Sequence, residues 1–314
     1  MTPDSLAAEV LSGNPRAVGR AITRVERGDD VAGLLAVLSP RTGAAQVLGV
    51  TGPPGAGKST LVTRIAAAFR RQGKRVGIVA IDPSSPFSGG AILGDRIRMN
   101  ELDSDPGVFI RSMATRGAMG GLSRATNDAV DVLDAAGFEV VVIETVGVGQ
   151  DEVDVVRAAD SVAVVVPPGL GDDIQALKAG ILEIADLFVV NKADRDGADR
   201  TAAELQMNLD FSEHGGWRPP IVRTVATRGD GVGEVVEQFE AHRNHLAASG
   251  EARERRLRRS RARLRALLEA KFFRAVENDA HNPRGLEDAV ARLTDRLVDP
   301  YSAADELFRR IAAG

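Results

Sequence analysis

The stretch that decides the fold is Gly52-Pro53-Pro54-Gly55-Ala56-Gly57-Lys58-Ser59. An apolar run, residues 47–51, precedes it, and a pattern typical of a helix, residues 61–69, follows it. Glycines allow successive backbone N–H groups to turn inward around an anion, where a Cβ atom would obstruct them. The N-terminus of the following helix adds unpaired N–H donors and the positive end of its dipole. The pattern therefore predicts the phosphate-binding loop of a protein that binds a nucleoside triphosphate.

Neighbouring side chains at the end of this loop have different predicted roles. Lys58 is expected to reach the β- and γ-phosphates, and the Ser59 hydroxyl is expected to bind Mg²⁺. Thr60 is the last residue of the predicted phosphate-binding set. The alternative is a glycine-rich turn that arose by chance, but the spacing, the preceding strand and the following helix all agree with the phosphate loop.

The composition of the chain limits its class. With 314 residues the chain can bury a large core, and its net charge of −4 gives no general case for nucleic acid or an anionic membrane as partner. It contains no cysteine, which excludes disulfides, thiolate metal sites and cysteine nucleophiles. No secretory signal is visible, and the apolar runs at 140–143 and 162–166 are too short to cross a bilayer. We therefore expect a soluble cytoplasmic protein.

Two predicted strands lead to acidic residues. Residues 76–81 end at Asp82, and because the carboxyl ends of parallel strands line the ligand crevice, we expect Asp82 near Mg²⁺ or its water ligands. A turn cap before Pro83 is the alternative. Residues 138–143 form a continuous apolar run that ends at Glu144, a second predicted Mg²⁺ carboxylate where an aspartate is usual. Three residues later, Gly147 can offer its backbone N–H to the γ-phosphate.

Two further segments resemble loops that respond to a nucleotide. Residues 83–121 show little periodicity, and a long irregular segment beside a nucleotide is expected to order around the γ-phosphate and Mg²⁺. Asp95 and Arg98 are its charged candidates, with simple surface charges as the alternative. After the strand at 161–166, Asp172 and Lys178 could pair across the next loop. A helix N-cap and a solvated lysine are the alternatives there.

The base is indicated by Asn191-Lys192-Ala193-Asp194, which follows an apolar run at 187–190. A carboxylate at Asp194 can accept hydrogen bonds from guanine N1–H and the 2-amino group, which adenine does not offer, so the predicted discrimination is on the order of 10⁴. Asn191 is expected to tether neighbouring loops, and the Lys192 stem is expected to cover the base. The loop after the last strand is expected to offer the Ala226 N–H to guanine O6.

Three regions are predicted along the chain: an N-terminal helical segment at 1–42, a nucleotide-binding domain at 43–248, and a C-terminal helical arm at 249–314. His242 and His245 lie one turn apart, but without other ligands in register we expect solvated histidines rather than a metal site. The basic run at 253–265 carries an apolar stripe at helical spacing. It lacks the interleaved aromatic residues of a nucleic-acid face, so we expect it to pack on a second subunit.

Taken together, four strings of sequence strongly resemble the MeaB-like GTPases. These are the phosphate loop, Ile81-Asp82-Pro83-Ser84-Ser85-Pro86, Glu144-Thr145-Val146-Gly147-Val148-Gly149-Gln150 and Asn191-Lys192-Ala193-Asp194. The first and last are shared by many GTPases, whereas the other two are much narrower signals. The resemblance extends over nearly the whole chain.

This resemblance implies a homodimeric, Mg²⁺-dependent GTPase that docks on adenosylcobalamin-dependent methylmalonyl-CoA mutase. In the family, binding and hydrolysis of GTP gate cobalamin delivery and help to protect or reactivate the mutase, so cobalamin is reached only through that partner. Asp82, Asp95 and Glu144 match the family's acidic residues around Mg²⁺, and Lys178 matches a lysine of its third switch loop. The implied fold is a doubly wound α/β sheet of P-loop type with helices at both ends, the C-terminal ones forming the dimerisation arm.

Two other classes share parts of this pattern. A nickel-insertion GTPase would have the same core but would usually carry cysteine or histidine clusters near its switch loops, and this chain shows none. A kinase on a P-loop scaffold would use ATP, which the guanine motif argues against. Because Val148 occupies the position where Ras-type enzymes have a water-orienting glutamine, intrinsic GTP hydrolysis is expected to be slow without a partner.

Overall fold

The strands and helices of the computed structural model cover most of the chain. The structure describes residues 2–82, 102, 104–114, 121–145, 158–169, 184–211, 216–279 and 284–313. The strands are β1 (Gln46–Thr51), β2 (Val76–Asp82), β3 (Val108–Ala114), β4 (Val140–Thr145), β5 (Ser161–Val166), β6 (Leu187–Asn191) and β7 (Ile221–Thr224). The helices in these described ranges are α1 (Pro3–Leu11), α2 (Pro15–Arg27), α3 (Val31–Leu38), α4 (Lys58–Arg71), α5 (Gly121–Ala135), α6 (Ala198–Asp210), α7 (Val232–Ser249), α8 (Glu251–Glu277), α9 (Gly285–Thr294) and α10 (Pro300–Ala313).

The strands form one parallel sheet in the order β3-β2-β4-β1-β5-β6-β7. Successive side chains of a strand enter two separate hydrophobic cores: Val141 and Ile143 face the core that contains α5, while Val140 and Val142 face the core that contains α4 and α7. Burial on both faces explains why β4, β5 and β6 read as nearly unbroken apolar runs. The predicted doubly wound, parallel α/β architecture is confirmed.

The three N-terminal helices extend the core on the α5 side. Asn14 caps α2 with its side chain, and Pro15 occupies the first helical position, where its missing N–H costs nothing. Val18, Ile22 and Val25 recur at helical spacing and are buried in this core. Helices α1 to α3 therefore belong to the same compact unit as the sheet, residues 1–255.

Strand β3 corrects the prediction that residues 83–121 are irregular throughout. Val108–Ala114 pairs with β2 at the edge of the sheet. Most of its side chains are only half-buried, and Arg111 in its middle forms an ion pair with Glu26 on α2. An edge strand with a charged residue in its centre shows neither a continuous apolar run nor clean alternation, so its periodicity is weak.

The second compact unit, residues 256–314, contains most of α8 together with α9 and α10. Within it, Phe272 and Phe308 pack with ring centroids 5.6 Å apart, and Arg292 forms a 2.7 Å ion pair with Glu306. Several large apolar side chains are exposed in this unit: Leu257, Leu264, Leu268, Leu297, Tyr301 and Phe308. In the part of the chain that the structure describes, no helix combines the length and apolar content needed to cross a membrane.

A buried polar cluster surrounds His242 on α7, which corrects the prediction that this histidine is solvated. Only 1% of the residue is exposed. Its Nδ1 lies 2.7 Å from Ser161 Oγ, its Nε2 lies 3.3 Å from Asp186 Oδ1, and its ring lies 4.9 Å from that of Trp217. Arg255 makes two hydrogen bonds to the same Asp186 carboxylate, at 2.8 and 3.1 Å. Since Ser161 and Asp186 lie at the amino ends of β5 and β6, the cluster is at the edge of the sheet opposite the glycine-rich loop.

We expect His242 to make the folded protein less stable at mildly acidic pH. Burial lowers the pKa of His242, and Arg255 and His245 lower it further, whereas Asp186 and Glu251 oppose the shift. In the unfolded chain the imidazole of His242 binds a proton below a pH of about 6.5, whereas in the folded protein it is still neutral just below that pH. The unfolded state therefore binds more protons, and the free energy of unfolding falls as the pH decreases below that value.

Urea unfolding between pH 5 and 8 measures this effect. His242→Gln should lose stability less steeply below pH 6.5 than the wild type, whereas His245→Gln, on the same helix but less buried, serves as the matched control. Parallel stability profiles for the wild type and His242→Gln would contradict the assignment.

Candidate functional site

The glycine-rich loop, residues 52–57, connects the central strand β1 to the N-terminus of α4. Strand β1 lies between β4 and β5; the strands β2 to β4 lie on one side of it, and β5 to β7 lie on the other. The loop is thus at a topological switch point, at the carboxyl ends of the strands, where open α/β sheets bind their ligands.

Two glycines of this loop occupy positions that no other residue would fit. Gly52 has a φ of +146°, and a Cβ atom there would lie 2.1 Å from the carbonyl oxygen of Val165 in β5. Gly57 has a φ of +89°, and a Cβ atom there would lie 2.4 Å from Nδ2 of Asn191 in β6. The loop therefore packs directly on the ends of β5 and β6, so that the motifs predicted to bind the phosphates and the base are adjacent in space.

Gly57→Ala should lower GDP affinity about tenfold or more and the free energy of unfolding by about 1–3 kcal/mol, because the new Cβ strains the backbone and displaces Asn191. Calorimetric titration with GDP and urea unfolding measure the two losses. Gly55→Ala is the matched control, since Gly55 also has a positive φ (+77°) but a Cβ atom there would meet nothing within 4 Å. Equal losses in both variants would show that the contact with Asn191 is unimportant.

The Lys58 side chain lies inside the loop. Its Nζ donates hydrogen bonds to the carbonyl oxygens of Gly52 at 2.7 Å and Pro53 at 2.9 Å, and only 6% of the residue is exposed. The ammonium group is therefore held at the centre of the loop, surrounded by backbone at the N-terminus of α4. A fixed positive charge in this position favours an anion such as a phosphate group.

Ser59 and Glu144 form a buried pair of oxygen donors next to the loop. The Ser59 Oγ donates a hydrogen bond of 2.5 Å to Glu144 Oε1, and both residues are at least 90% buried. A hydroxyl group and a carboxylate are hard oxygen ligands of the kind that Mg²⁺ prefers, so this pair fits the predicted ion. In the sheet register Glu144 lies beside Ala80, which places the backbone of Asp82 at the same edge.

Asn191 links three parts of the candidate base site. Its Nδ2 donates to the carbonyl oxygen of Ala56 in the glycine-rich loop at 2.8 Å. Its Oδ1 accepts hydrogen bonds from Thr224 Oγ1 at 3.0 Å and from the Ala226 N–H at 3.1 Å. The last of these bonds occupies the donor that the sequence assigns to guanine O6. The residue is 2% exposed, so its amide is committed to holding the loops together.

Lys192 and Asp194 complete the motif at the end of β6. Lys192 has a φ of +61°, and its Nζ donates to the carbonyl oxygen of Gly55 at 2.7 Å, so that its stem extends from β6 to the glycine-rich loop. Asp194 is exposed to solvent. Its carboxylate is therefore available to a ligand at the same edge of the sheet.

Several predicted residues lie outside the described part of the structure. Outside it lie Asp95, Arg98, Gly147, Val148, Asp172 and Lys178, together with the side chain of Asp82, whose backbone ends β2. Their roles remain predictions.

Two contact residues were not predicted. Thr224 binds Asn191, and Arg64 on α4 donates hydrogen bonds to the carbonyl oxygens of Ala226 and Thr227, at 3.3 and 3.4 Å. Thr224 is the last residue of β7, so its position at the carboxyl edge of the sheet could have been predicted from the sequence. The contact of Arg64 depends on how α4 packs beside the next loop, and no local pattern indicates it.

The protein family follows from comparison with known sequences. Residues 18–281 match the family model described as "Methylmalonyl Co-A mutase-associated GTPase MeaB". The chain belongs to this family. The resemblance noted in the sequence is confirmed, and as a MeaB-family GTPase the protein is a GTP hydrolase that binds guanine nucleotide.

Relatives of this MeaB-family GTPase cover most of its length. A Pyrococcus abyssi protein named as a GTPase is 49% identical over 317 residues, which cover 99% of this chain and 97% of that protein. The Escherichia coli GTPase ArgK is 37% identical over 279 residues, covering 87% and 84% of the two chains. The mouse protein named "Methylmalonic aciduria type A homolog, mitochondrial" is 40% identical over 209 residues, or 65% of this chain and 50% of the mouse protein.

The MeaB-family fold also has a match among solved structures. A crystal structure of an LAO/AO transport system kinase superposes with a TM-score of 0.73 and 26% sequence identity, covering 99% of this chain and 98% of that one. The predicted P-loop fold class is thereby confirmed.

Proposed function

We propose that this MeaB-family GTPase is a Mg²⁺-dependent chaperone of an adenosylcobalamin-dependent methylmalonyl-CoA mutase. In this proposal its nucleotide cycle gates cobalamin delivery and protects or reactivates the mutase. The observation that carries the proposal is the family match over residues 18–281, because that family is named for its association with the mutase. The mouse relative is named for methylmalonic aciduria, which points to the same methylmalonyl chemistry.

The proposed guanine site extends from the glycine-rich loop to β7. Residues 52–60 would surround the phosphates, with the Lys58 ammonium reaching the β- and γ-phosphates. Asn191 and Lys192 would position the base against this loop, and the Asp194 carboxylate would accept hydrogen bonds from guanine N1–H and the 2-amino group. The hydrogen bonds of Asn191 to Ala56 and Ala226 support this arrangement, since they join the phosphate and base segments.

Ser59 and Glu144 would hold Mg²⁺ directly or through water, and Asp82 and Asp95 are further candidates from the sequence. The 2.5 Å contact between the Ser59 hydroxyl and the Glu144 carboxylate supports this proposal. Bound Mg²⁺ would neutralise charge on the β- and γ-phosphate oxygens. The predicted Gly147 N–H would donate to the γ-phosphate.

Residues 249–314 would form a dimerisation arm. The exposed apolar side chains of α8 and α10, such as Leu264, Leu268 and Phe308, support this proposal, because an apolar surface of this kind is typical of an interface between subunits. Light scattering should give a dimer for the wild type and a monomer for the double variant Leu264→Glu/Leu268→Glu. A wild-type monomer at micromolar concentration would contradict the arm's role.

The chaperone proposal is tested with purified methylmalonyl-CoA mutase. We expect the mutase to accelerate GTP turnover by the wild type and to be captured by it in a nucleotide-dependent way. If docking moves the loop at 170–178 so that Lys178 approaches the developing phosphoryl charge, Lys178→Ala should bind the mutase but lose the acceleration.

The outcomes separate the two parts of the proposal. Equal stimulation of wild type and Lys178→Ala would refute the role of Lys178 alone. If the protein binds GDP normally but neither captures the mutase nor is stimulated by it, the mutase is refuted as the partner. Displacement of GDP by ATP at equal concentration would instead favour a kinase.

A further inference from the structure

The loop between β7 and α7 contains two consecutive backbone N–H groups that could donate a hydrogen bond to guanine O6. The Ala226 N–H already donates to Asn191 Oδ1 at 3.1 Å. Among the residues that the structure describes, the next N–H along the chain, that of Thr227, takes part in no hydrogen bond. The loop therefore has one N–H group committed to the scaffold and a neighbouring N–H group available for a ligand.

Arg64 fixes this part of the loop from the other side. Its Nε donates to the carbonyl oxygen of Ala226 at 3.3 Å, and its Nη2 donates to the carbonyl oxygen of Thr227 at 3.4 Å. A guanidinium group presents its N–H groups in a rigid planar fork, so two consecutive carbonyl groups are held by one side chain. Arg64 lies on α4, which begins at Lys58 in the glycine-rich loop.

The orientation of the Thr227 N–H follows from the planarity of the peptide bond. The carbonyl group of Ala226 and the N–H group of Thr227 belong to the same peptide unit, and in a trans unit they point in opposite directions. The chain contains no cis peptide bond in its described residues. Holding the Ala226 carbonyl group toward Arg64 therefore directs the Thr227 N–H away from α4.

We propose that Arg64 is a positioning residue for guanine recognition, and that it acts by presenting the Thr227 N–H to guanine O6. The inference rests on the proposed guanine site and adds to it a specific donor and the side chain that orients the donor. Arg64 itself does not touch the base. Because the same helix starts at the phosphate loop and holds the base loop, displacement of α4 would affect both ends of the nucleotide.

The test compares nucleotides that differ at the atoms in question. GDP and IDP both carry O6, and IDP lacks only the 2-amino group that Asp194 is proposed to bind. The diphosphate of 2-aminopurine riboside lacks O6 and, with it, the N1–H donor, so it serves as the reference without O6, and each variant is judged by its change from the wild type for each nucleotide. Affinities for the three are measured by displacement of a fluorescent GDP analogue from the wild type, Arg64→Met and Arg71→Met. Methionine keeps an unbranched helix-forming stem but no donor, and Arg71 is an exposed arginine on the same helix.

Arg64→Met should lose about tenfold in affinity for both GDP and IDP, the value of roughly one hydrogen bond, and should lose no affinity for the 2-aminopurine nucleotide. Arg71→Met should match the wild type with all three. An equal loss for all three nucleotides would overturn the inference, because a general loosening of the site does not depend on O6. No loss for GDP would overturn it as well.

Two further results keep the test decisive. If Arg64→Met does not fold, as judged by circular dichroism, the same comparison is made with Arg64→Lys, which removes the fork but keeps the charge. A loss of affinity confined to GDP and IDP supports the inference. An equal loss of affinity for all three nucleotides overturns it. A wild type that binds GDP and the 2-aminopurine nucleotide equally would overturn both the inference and the proposed guanine site. If the wild type prefers GDP over the 2-aminopurine nucleotide and Arg64→Met has the same affinities as the wild type, the inference alone is overturned.

Discussion

Lys58→Ala should reduce the affinity for GTP and GDP by a factor of roughly 10²–10⁴, the loss expected for two charge-assisted hydrogen bonds at about 1.5–3 kcal/mol each. The ammonium group lies in the middle of the loop, bonded to the carbonyl groups of Gly52 and Pro53. Without it, phosphate oxygens would approach those carbonyl oxygens with no positive charge between them. Calorimetry with GDP and GTP measures the loss.

Lys271→Ala is the control for this prediction, because Lys271 is an exposed lysine on α8 in the second compact unit. It should bind both nucleotides as the wild type does. The folded state of Lys58→Ala is checked by its urea unfolding curve. If Lys58→Ala binds GDP within tenfold of the wild type, the loop has been wrongly assigned as the phosphate site.

Asp194→Asn should lower the affinity for GDP by a factor on the order of 10²–10⁴ and raise that for XDP. A carboxylate accepts hydrogen bonds from the N1–H and 2-amino groups of guanine, whereas the amide of asparagine offers an N–H group in place of one acceptor. Xanthine carries a carbonyl oxygen at C2, which can accept from that amide. Competition between GDP and XDP for the variant measures the exchange of preference.

Asp196→Asn is the matched control, since Asp196 is also exposed and lies two residues further along the same turn. It should retain the preference for GDP. A variant at Asp194 that still prefers GDP over XDP by the same factor as the wild type would show that another group reads the Watson–Crick edge of the base.

The parts of the fold that were predicted correctly are those in which local sequence and burial agree. Strands β4, β5 and β6 are buried on both faces, so their apolar runs are unbroken and easily recognised. The glycine-rich loop was recognisable because its conformation excludes side chains, as the close approach of Gly57 to Asn191 shows. Both features depend on a few neighbouring residues.

The features that were missed depend on contacts between distant segments. Strand β3 is half-buried at the edge of the sheet and carries Arg111, whose partner lies on α2. The bonds from Arg64 to the loop after β7 join residues more than 160 positions apart. His242 is different, because Val235, Phe239, His242 and Leu246 recur at helical spacing and are all buried. That spacing was visible in the sequence and places the histidine on the buried stripe of α7.

The amide of Asn191 limits how the ligand preference of this protein can be redesigned. Asn191 and Lys192 both join the predicted base segment to the glycine-rich loop, so a change in one half of the proposed site is expected to alter the other. In the proposed site, guanosine would contact only the base half, and free pyrophosphate would contact only the phosphate half. Selections for a new nucleobase should therefore leave position 191 untouched and vary the surrounding turns instead.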